Sequence, residues 1–324
     1  MYPPVGPTIV EIGPLALRWY GVLMLLAFLV AAAIAARHVE RRNLSASTVW
    51  DGLLWVLIGA IIGARLYYVF IQSPRGPEGL GRYLANPIEI VNVMGGGLHI
   101  FGGFIGGALA IMLYTRRHRL PLAVYLDGAA LGLPLGQAIA RLGNFINQEL
   151  YGPPTDLPWG LRIDPPHRIP PFNDLTLYPE STHFHPLFLY EGLWNLAGFG
   201  LLHVIARRSG ARLRDGDLIL TYAIWYPLGR FFLEFLRTDS WFFPGTPFNG
   251  THLLCLAAIA TSVVLLTRRA VRERRLGQRT TAGQPAEGQA GEQAIRNSAG
   301  DEPGDAQGRA GLELPNRVEE DGGR

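Results

Sequence analysis

The sequence predicts an all-α polytopic membrane protein with seven transmembrane helices, an outside N-terminus, a cytoplasmic C-terminus and a small extracytoplasmic head. Three observations carry that prediction. Of 324 residues, 48% are hydrophobic and only 17% charged, too little charge to coat a globule of this size in water. Seven stretches can cross ~30 Å of hydrocarbon as helix, at approximately 15–36, 52–72, 97–114, 122–145, 187–206, 217–236 and 252–267. Arginine, finally, is distributed with a strong side bias.

The first stretch lacks a basic n-region and a small-residue cleavage site, and its charges follow the apolar core, so it reads as a retained helix and not a signal peptide. After spans one, three, five and seven come Arg37, Arg41, Arg42; Arg116, Arg117, Arg119; Arg207, Arg208, Arg212, Arg214; and Arg268, Arg269, Arg272, Arg274, Arg275. The opposite side has the longer loops, 73–96 and 146–186, yet offers only Arg75, Arg82, Arg162, Arg168 and Arg237. The positive-inside rule therefore puts the N-terminus out and the C-terminus in, which agrees with an odd number of crossings. The chain contains no lysine, so its basic balance rests on these edge arginines and predicts no nucleic-acid partner. The single cysteine, Cys255, lies in an apolar run and reads as a core or lipid-facing thiol.

Two regions are predicted, a membrane domain over 1–276 and a disordered cytoplasmic tail over 277–324. The tail is rich in Gly, Glu, Gln, Ala and Arg and nearly free of aromatic and β-branched residues. The outer head, about 146–186, is different. Its part from 153 on holds nine prolines together with Trp159, Phe172, Tyr178 and Phe184, which predicts a rigid, packed loop.

Placing polar residues by depth is informative, because an ionisable side chain within a span is a functional candidate by default. Span two runs outward and carries Arg65. Span four delivers Arg141 and Asn144 to its outer end, with Asn147 and Glu149 just beyond. Span six does the same for Arg230, Glu234 and Arg237. Spans one, three and five run inward, so Trp19 with Tyr20, His99, and Tyr190 with Glu191 are outer residues. Arg65, Arg141, Arg230 and Arg237, set against Glu149, Glu191 and Glu234 at headgroup depth, suit a phosphate: the planar guanidinium fork donates paired hydrogen bonds and stays charged when partly desolvated.

Plainer readings stand beside this one. Arg230 and Glu234 lie four apart, the spacing of a structural helix pair. Arg18 and Arg237 can snorkel, and Trp19, Trp55, Trp159 and Trp241 can anchor the interface. "GGGLHIFGGFIGG" at 95–107 fits close helix packing or a backbone approaching a headgroup. Asp127 fits a cap or a partner for a loop arginine, and His203 a structural role. Paired metal-binding aspartates, Gly-x-Ser-x-Gly, a Walker loop and His-Glu-x-x-His are all missing, which disfavours metal and serine hydrolases. A phospholipid-binding transporter or flippase remains the alternative, although no internal repeat relates the two halves.

"RLGNFINQELYG" at 141–152 resembles the signature of the bacterial prolipoprotein diacylglyceryl transferases, G-R-x-G-N-F-x-N-x-E-x-x-G, departing only at Ala140. The resemblance runs through "RWYG" at 18–21, "GARLYYV" at 63–69, Asp127, "HPLFLYE" at 185–191 and "YPLGRFFLEFLR" at 226–237, covering roughly 10–268. It implies a multi-pass enzyme of the bacterial plasma membrane, working near the outer leaflet. Such an enzyme moves the diacylglyceryl group of phosphatidylglycerol to the lipobox cysteine of prolipoprotein signal peptides, forming a thioether and releasing glycerol phosphate. No metal or organic cofactor is implied. Position by position, it implies that Arg141 and Arg230 handle phosphate, that Asn144, Glu149 and Gly152 form the signature, that Tyr20 is essential, and that Glu234 and Arg237 follow; Arg65 joins the lipid-binding set. Where many members have a histidine directly before Gly-Gly, this chain has Phe101, with His99 two residues earlier. Two positions on a regular helix rotate a side chain by about 200°, which would turn His99 away from that place. The candidates for the general base are His99, Glu234 and Tyr20, or no side chain at all where the arginine field favours thiolate.

Overall fold

The computed structural model describes residues 1–13, 15–73, 79–93, 96–209, 213–240 and 242–282, with Leu15, Arg274 and 276–282 described by backbone alone. Arg75, Gly95, Arg212, Trp241, the side chain of Arg274 and the tail beyond 282 lie outside the described residues. The chain divides into two compact units, Met1–Arg268 and Arg269–Arg324.

The first unit is mostly helical. Its long helices are α1 (Trp19–Glu40), α2 (Ser47–Tyr67, prolonged by a π-helical turn Tyr68–Gln72), α5 (Ile100–Arg117), α6 (Leu122–Ile146), α7 (Leu187–Arg208), α8 (Asp217–Glu234) and the start of α9 (Gly250–Ala282). Two short helices, α3 (Leu80–Ala85) and α4 (Ile88–Val91), lie between α2 and α5. Among the described residues, four helices are long and apolar enough to cross a membrane: Trp19–Glu40, Ser47–Gln72, Leu122–Ile146 and Gly250–Glu273. In hydrocarbon an unbroken apolar segment must satisfy its backbone internally, which helix does. The remaining long helices are diluted by polar residues, Glu191 and Asn195 in α7, Arg230 and Glu234 in α8, and the terminal Arg116 and Arg117 of α5.

The protein is not purely helical. Strands β1 (Thr8–Ile12) and β2 (Leu15–Arg18) form an antiparallel hairpin, pairing Val10 with Leu17 and Glu11 with Ala16. Gly13 at φ +59° turns it, a conformation that needs no Cβ. The first helix therefore starts at Trp19, four residues later than the apolar run suggests. In the head, β3 (Leu161–Arg162) pairs antiparallel with β4 (His183–Phe184).

Small residues set the helix pairs. On α6, Gly128, Gly132 and Gly136 lie one turn apart against Ala35, Ala31 and Ala27 of α1, and a Cβ at Gly132 would overlap the Ala31 carbonyl. Between α2 and α5 the same holds for Gly59, Gly63, Gly102 and Gly106, whose backbones touch, so the glycine-rich segment does serve close packing. Helices α7 and α8 are clasped by stacked Trp194 and Trp225, with ring centroids 4.4 Å apart. Each indole donates to the other residue's carbonyl, at 3.0 and 3.1 Å. Asp127 accepts from Gly216 N (2.7 Å) and Ile219 N (2.9 Å), so it caps α8 across the bundle.

The head packs Tyr151, Leu161, Ile163, Phe172, Phe184 and Phe188 into one core, with Tyr178 against it. Buried Arg168 ties its coil together by donating to the carbonyls of Ile163 (2.9 Å), Tyr178 (2.8 Å) and Glu180 (3.0 Å). Trp159 stays exposed and donates to Tyr190 Oη at 3.0 Å.

Candidate active site

The end of α6 begins the site. Arg141 and Asn144, three apart on one face, meet when Arg141 Nη1 donates to Asn144 Oδ1 at 2.7 Å. The helix stops because Gln148 adopts φ +54°, a left-handed conformation at the position usually given to glycine, while Glu149 N donates back to Asn144 O at 3.0 Å. That reversal returns Glu149 to the helix end, where its Oε1 accepts from Asn144 Nδ2 (2.7 Å) and Asn147 Nδ2 (3.5 Å).

The first turns of α7 supply Glu191, which lies between two guanidinium groups. It forms an ion pair with Arg141 Nη2, and its Oε1 accepts from Arg230 Nη1 of α8 at 3.0 Å. Arg230 Nη2 continues to Glu234 Oε2, one turn on, at 2.5 Å. Glu234 is 1% exposed, and its other oxygen accepts from Ser240 Oγ (2.6 Å) and Asn249 Nδ2 (2.7 Å). Arg141, Asn144, Glu149, Glu191, Arg230 and Glu234 thus form one connected polar network across three helices. Two guanidinium groups face three carboxylates, so positive charge is compensated before any ligand arrives. Yet Arg141 Nε and Asn195 Nδ2 are buried without a hydrogen-bond partner among the described residues, donors that an incoming oxygen would satisfy. Asn195 lines a small cavity with Glu191, Tyr226 and Arg230.

The other predicted residues fall in two groups. Tyr20, at the start of α1, packs on Gly143, where an added Cβ would lie 2.8 Å from its ring, and Glu149 and Arg141 are its charged neighbours. Gly152 joins the head to the end of α8, since a Cβ there would sit 2.9 Å from His185 Cβ and 3.0 Å from Leu236 O. Arg237 turns to Asp239, with Nε to Oδ1 at 2.9 Å and Nη2 to Oδ2 at 2.5 Å.

Arg65 and His99 belong to the α2–α5 side, and among the described residues neither bonds to the network. Arg65, 7% exposed, donates to the carbonyls of Glu89 (2.6 Å), Ile90 (2.9 Å), Gly96 (2.8 Å) and Gly97 (3.0 Å), so it ties 89–90 to 96–97. His99 is the N-cap of α5, with extended φ and ψ, so regular helical rotation does not set the direction of its side chain. Its ring folds back, Nδ1 accepting from Phe101 N at 3.4 Å, and stacks on Tyr67 at 4.7 Å.

Sequence reasoning saw Glu191 only as a countercharge and gave no role to Ser240, Asn195 or Asn249. The one available signal was local: Asn249, two residues, then His252 before an apolar run has the spacing of a helix capping box.

Fold and network together define a multi-pass helical membrane protein with a buried, charge-compensated guanidinium–carboxylate site. A family model described as prolipoprotein diacylglyceryl transferase matches residues 7–268. Phosphatidylglycerol–prolipoprotein diacylglyceryl transferases with similar sequences include that of Chloroflexus aggregans, 44% identical over 74% of this chain and 80% of its own length. That of Synechococcus elongatus is 43% identical over 72% and 78%, and that of Lactiplantibacillus plantarum 37% over 73% and 79%. The chain belongs to the prolipoprotein diacylglyceryl transferase family.

Proposed function

We propose that the chain transfers the diacylglyceryl group of phosphatidylglycerol to the lipobox cysteine thiol of a prolipoprotein, forming a thioether and releasing glycerol phosphate. The observation that carries this reading is the Arg141–Glu191–Arg230 ion chain, in a member of this family. Sulfur attacks the glycerol carbon bonded to the phosphate oxygen. A C–S bond forms, the C–O bond breaks, and its electron pair leaves on the phosphate. Prepositioned guanidinium groups stabilise that growing charge, an effect worth about 10²–10³ in rate per donor. Because the arginines are already paired, phosphate enters by exchange with Glu191, and a displaced carboxylate is then free to receive the thiol proton. His99 caps a helix and Glu234 is held by three partners, so the base role falls to this exchange, with Tyr20 lining it beside Glu149.

In the same reading the chain makes seven crossings of the bacterial plasma membrane, with the N-terminus and the head of about 146–186 outside. The network then lies near the outer leaflet, and a tail from 277 on is cytoplasmic. The arginine asymmetry between loops supports this orientation. The test is direct: purified protein in phosphatidylglycerol vesicles, given a lipobox peptide, adds a diacylglyceryl mass to cysteine and liberates glycerol phosphate. Lipid movement across the bilayer without that product would establish the transporter reading instead.

A further inference from the structure

The geometry points to Asn249 as a positioning residue for Arg230, acting through Glu234 and itself held by His252. This rests on the reading of Arg230 as a group that meets the lipid phosphate. Arg230 is aimed by two carboxylates, and Glu234 can aim it only if Glu234 is itself fixed. Its Oε1 is fixed by the Ser240 hydroxyl and by the Asn249 amide at 2.7 Å. Asn249 is 3% exposed and lies directly before α9, so the end of α8 and the start of α9 meet at this carboxylate.

Asn249 performs two separable tasks. Its Oδ1 accepts from His252 N at 3.1 Å, which is a helix N-cap. Its Nδ2 donates to Glu234, which the cap does not require. His252, fully buried, reaches back in the manner of a capping-box glutamate. Its Nδ1 lies 3.1 Å from Asn249 N and 2.9 Å from Asn249 Oδ1, so either imidazole tautomer is tied to Asn249. Phe231 and Phe248 stand edge-on to the imidazole at 5.0 and 5.5 Å, and Phe235 packs at 4.4 Å. Nε2 is buried with no hydrogen-bond partner among the described residues. An imidazole caged in this way holds one rotamer, and through it the Asn249 amide keeps one direction.

The two tasks separate by substitution. Serine and aspartate cap a helix about as well as asparagine, but serine is too short to reach Glu234 and aspartate has no N–H to offer. Asn249→Ser and Asn249→Asp are therefore compared with the unmodified full-length protein in vesicles, reading thioether formation, KM for phosphatidylglycerol and thermal midpoint. Asn249→Ser is expected to stay folded at the assay temperature, with a thermal midpoint lowered by the lost buried bond, while kcat falls roughly 10–100-fold, the penalty of misaiming a catalytic group by about an ångström. Asn249→Asp is expected to fall at least as far. His252→Gln, which retains the reciprocal cap, is expected to preserve most of kcat, whereas His252→Leu loses it. Normal kcat in folded Asn249→Ser, or a loss matching only a reduced folded fraction, overturns the proposal. Failure of the underlying reading shows separately, as full turnover by Arg230→Ala or as no thioether from the unmodified chain, and it removes this proposal too.

Discussion

At Arg141 both charge and shape matter. One edge of its guanidinium meets Glu191, another meets Asn144, and Nε has no partner among the described residues. Lysine keeps the charge but offers no planar fork, so Arg141→Lys is expected to lose roughly 10²-fold in kcat, a single donor's worth. Arg141→Ala and Arg230→Ala are expected to abolish thioether formation in the vesicle assay. His99→Gln should retain substantial activity, since the imidazole's bonds serve Phe101 N and Tyr67; an inactive but folded His99→Gln protein would refute this. Arg141, Asn144 and Glu149 were legible because the motif places them within one turn and a reversal. Glu191 as the bridge was not, because bridging needs two helices that approach one another only after folding.

At the scale of elements, glycine decides how closely helices approach. A Cβ at Gly132 has no space against Ala31, whereas one at Gly200 on α7 would meet nothing within 4 Å among the described residues. Gly132→Val is expected to lower thermal stability in detergent by about 1–3 kcal/mol, the usual cost of overpacking. Gly200→Ala should be neutral or stabilising by about 0.5–1 kcal/mol, since alanine is the better helix former. Equal effects of the two would remove the seam from the account. The four-residue glycine spacing in α6 was visible in the chain; its alignment with alanines of α1 was not, because register between helices is chosen by packing. The π-helical turn at Tyr68–Gln72 likewise has no visible signal in the apolar run that contains it.

Across the whole molecule, the head is fastened to the bundle by the residue that ends α6. Gln148 Nε2 donates to Asp164 Oδ2 and Gln148 Oε1 accepts from Asp164 N, both at 2.7 Å. The hydrogen bond from Gln148, with help from Tyr2, holds the Asp164 carboxyl below the usual carboxylate range. A depressed folded value means this contribution is complete above the unfolded pKa of about 4 and is lost as pH falls through the folded value. Protection factors of head amides, corrected for the intrinsic exchange rate at each pH, are therefore expected to fall below about pH 4 in the native protein and to show a weaker acid dependence in Asp164→Asn. An unchanged acid response in that variant would show that Asp164 does not couple the head to protons.

The order of residues by itself settles membrane character, family and the identity of the polar groups. Apolar length, loop arginines and signature spacing are properties of consecutive positions. Folding in three dimensions decides which of those groups act together. It sends Arg65 to backbone carbonyls and His99 to a helix cap, and brings Glu191 to the arginines and Asn249 to Glu234. The physical reason is that a buried charge takes whatever partner packing delivers within hydrogen-bonding distance, and these partners lie far apart along the chain.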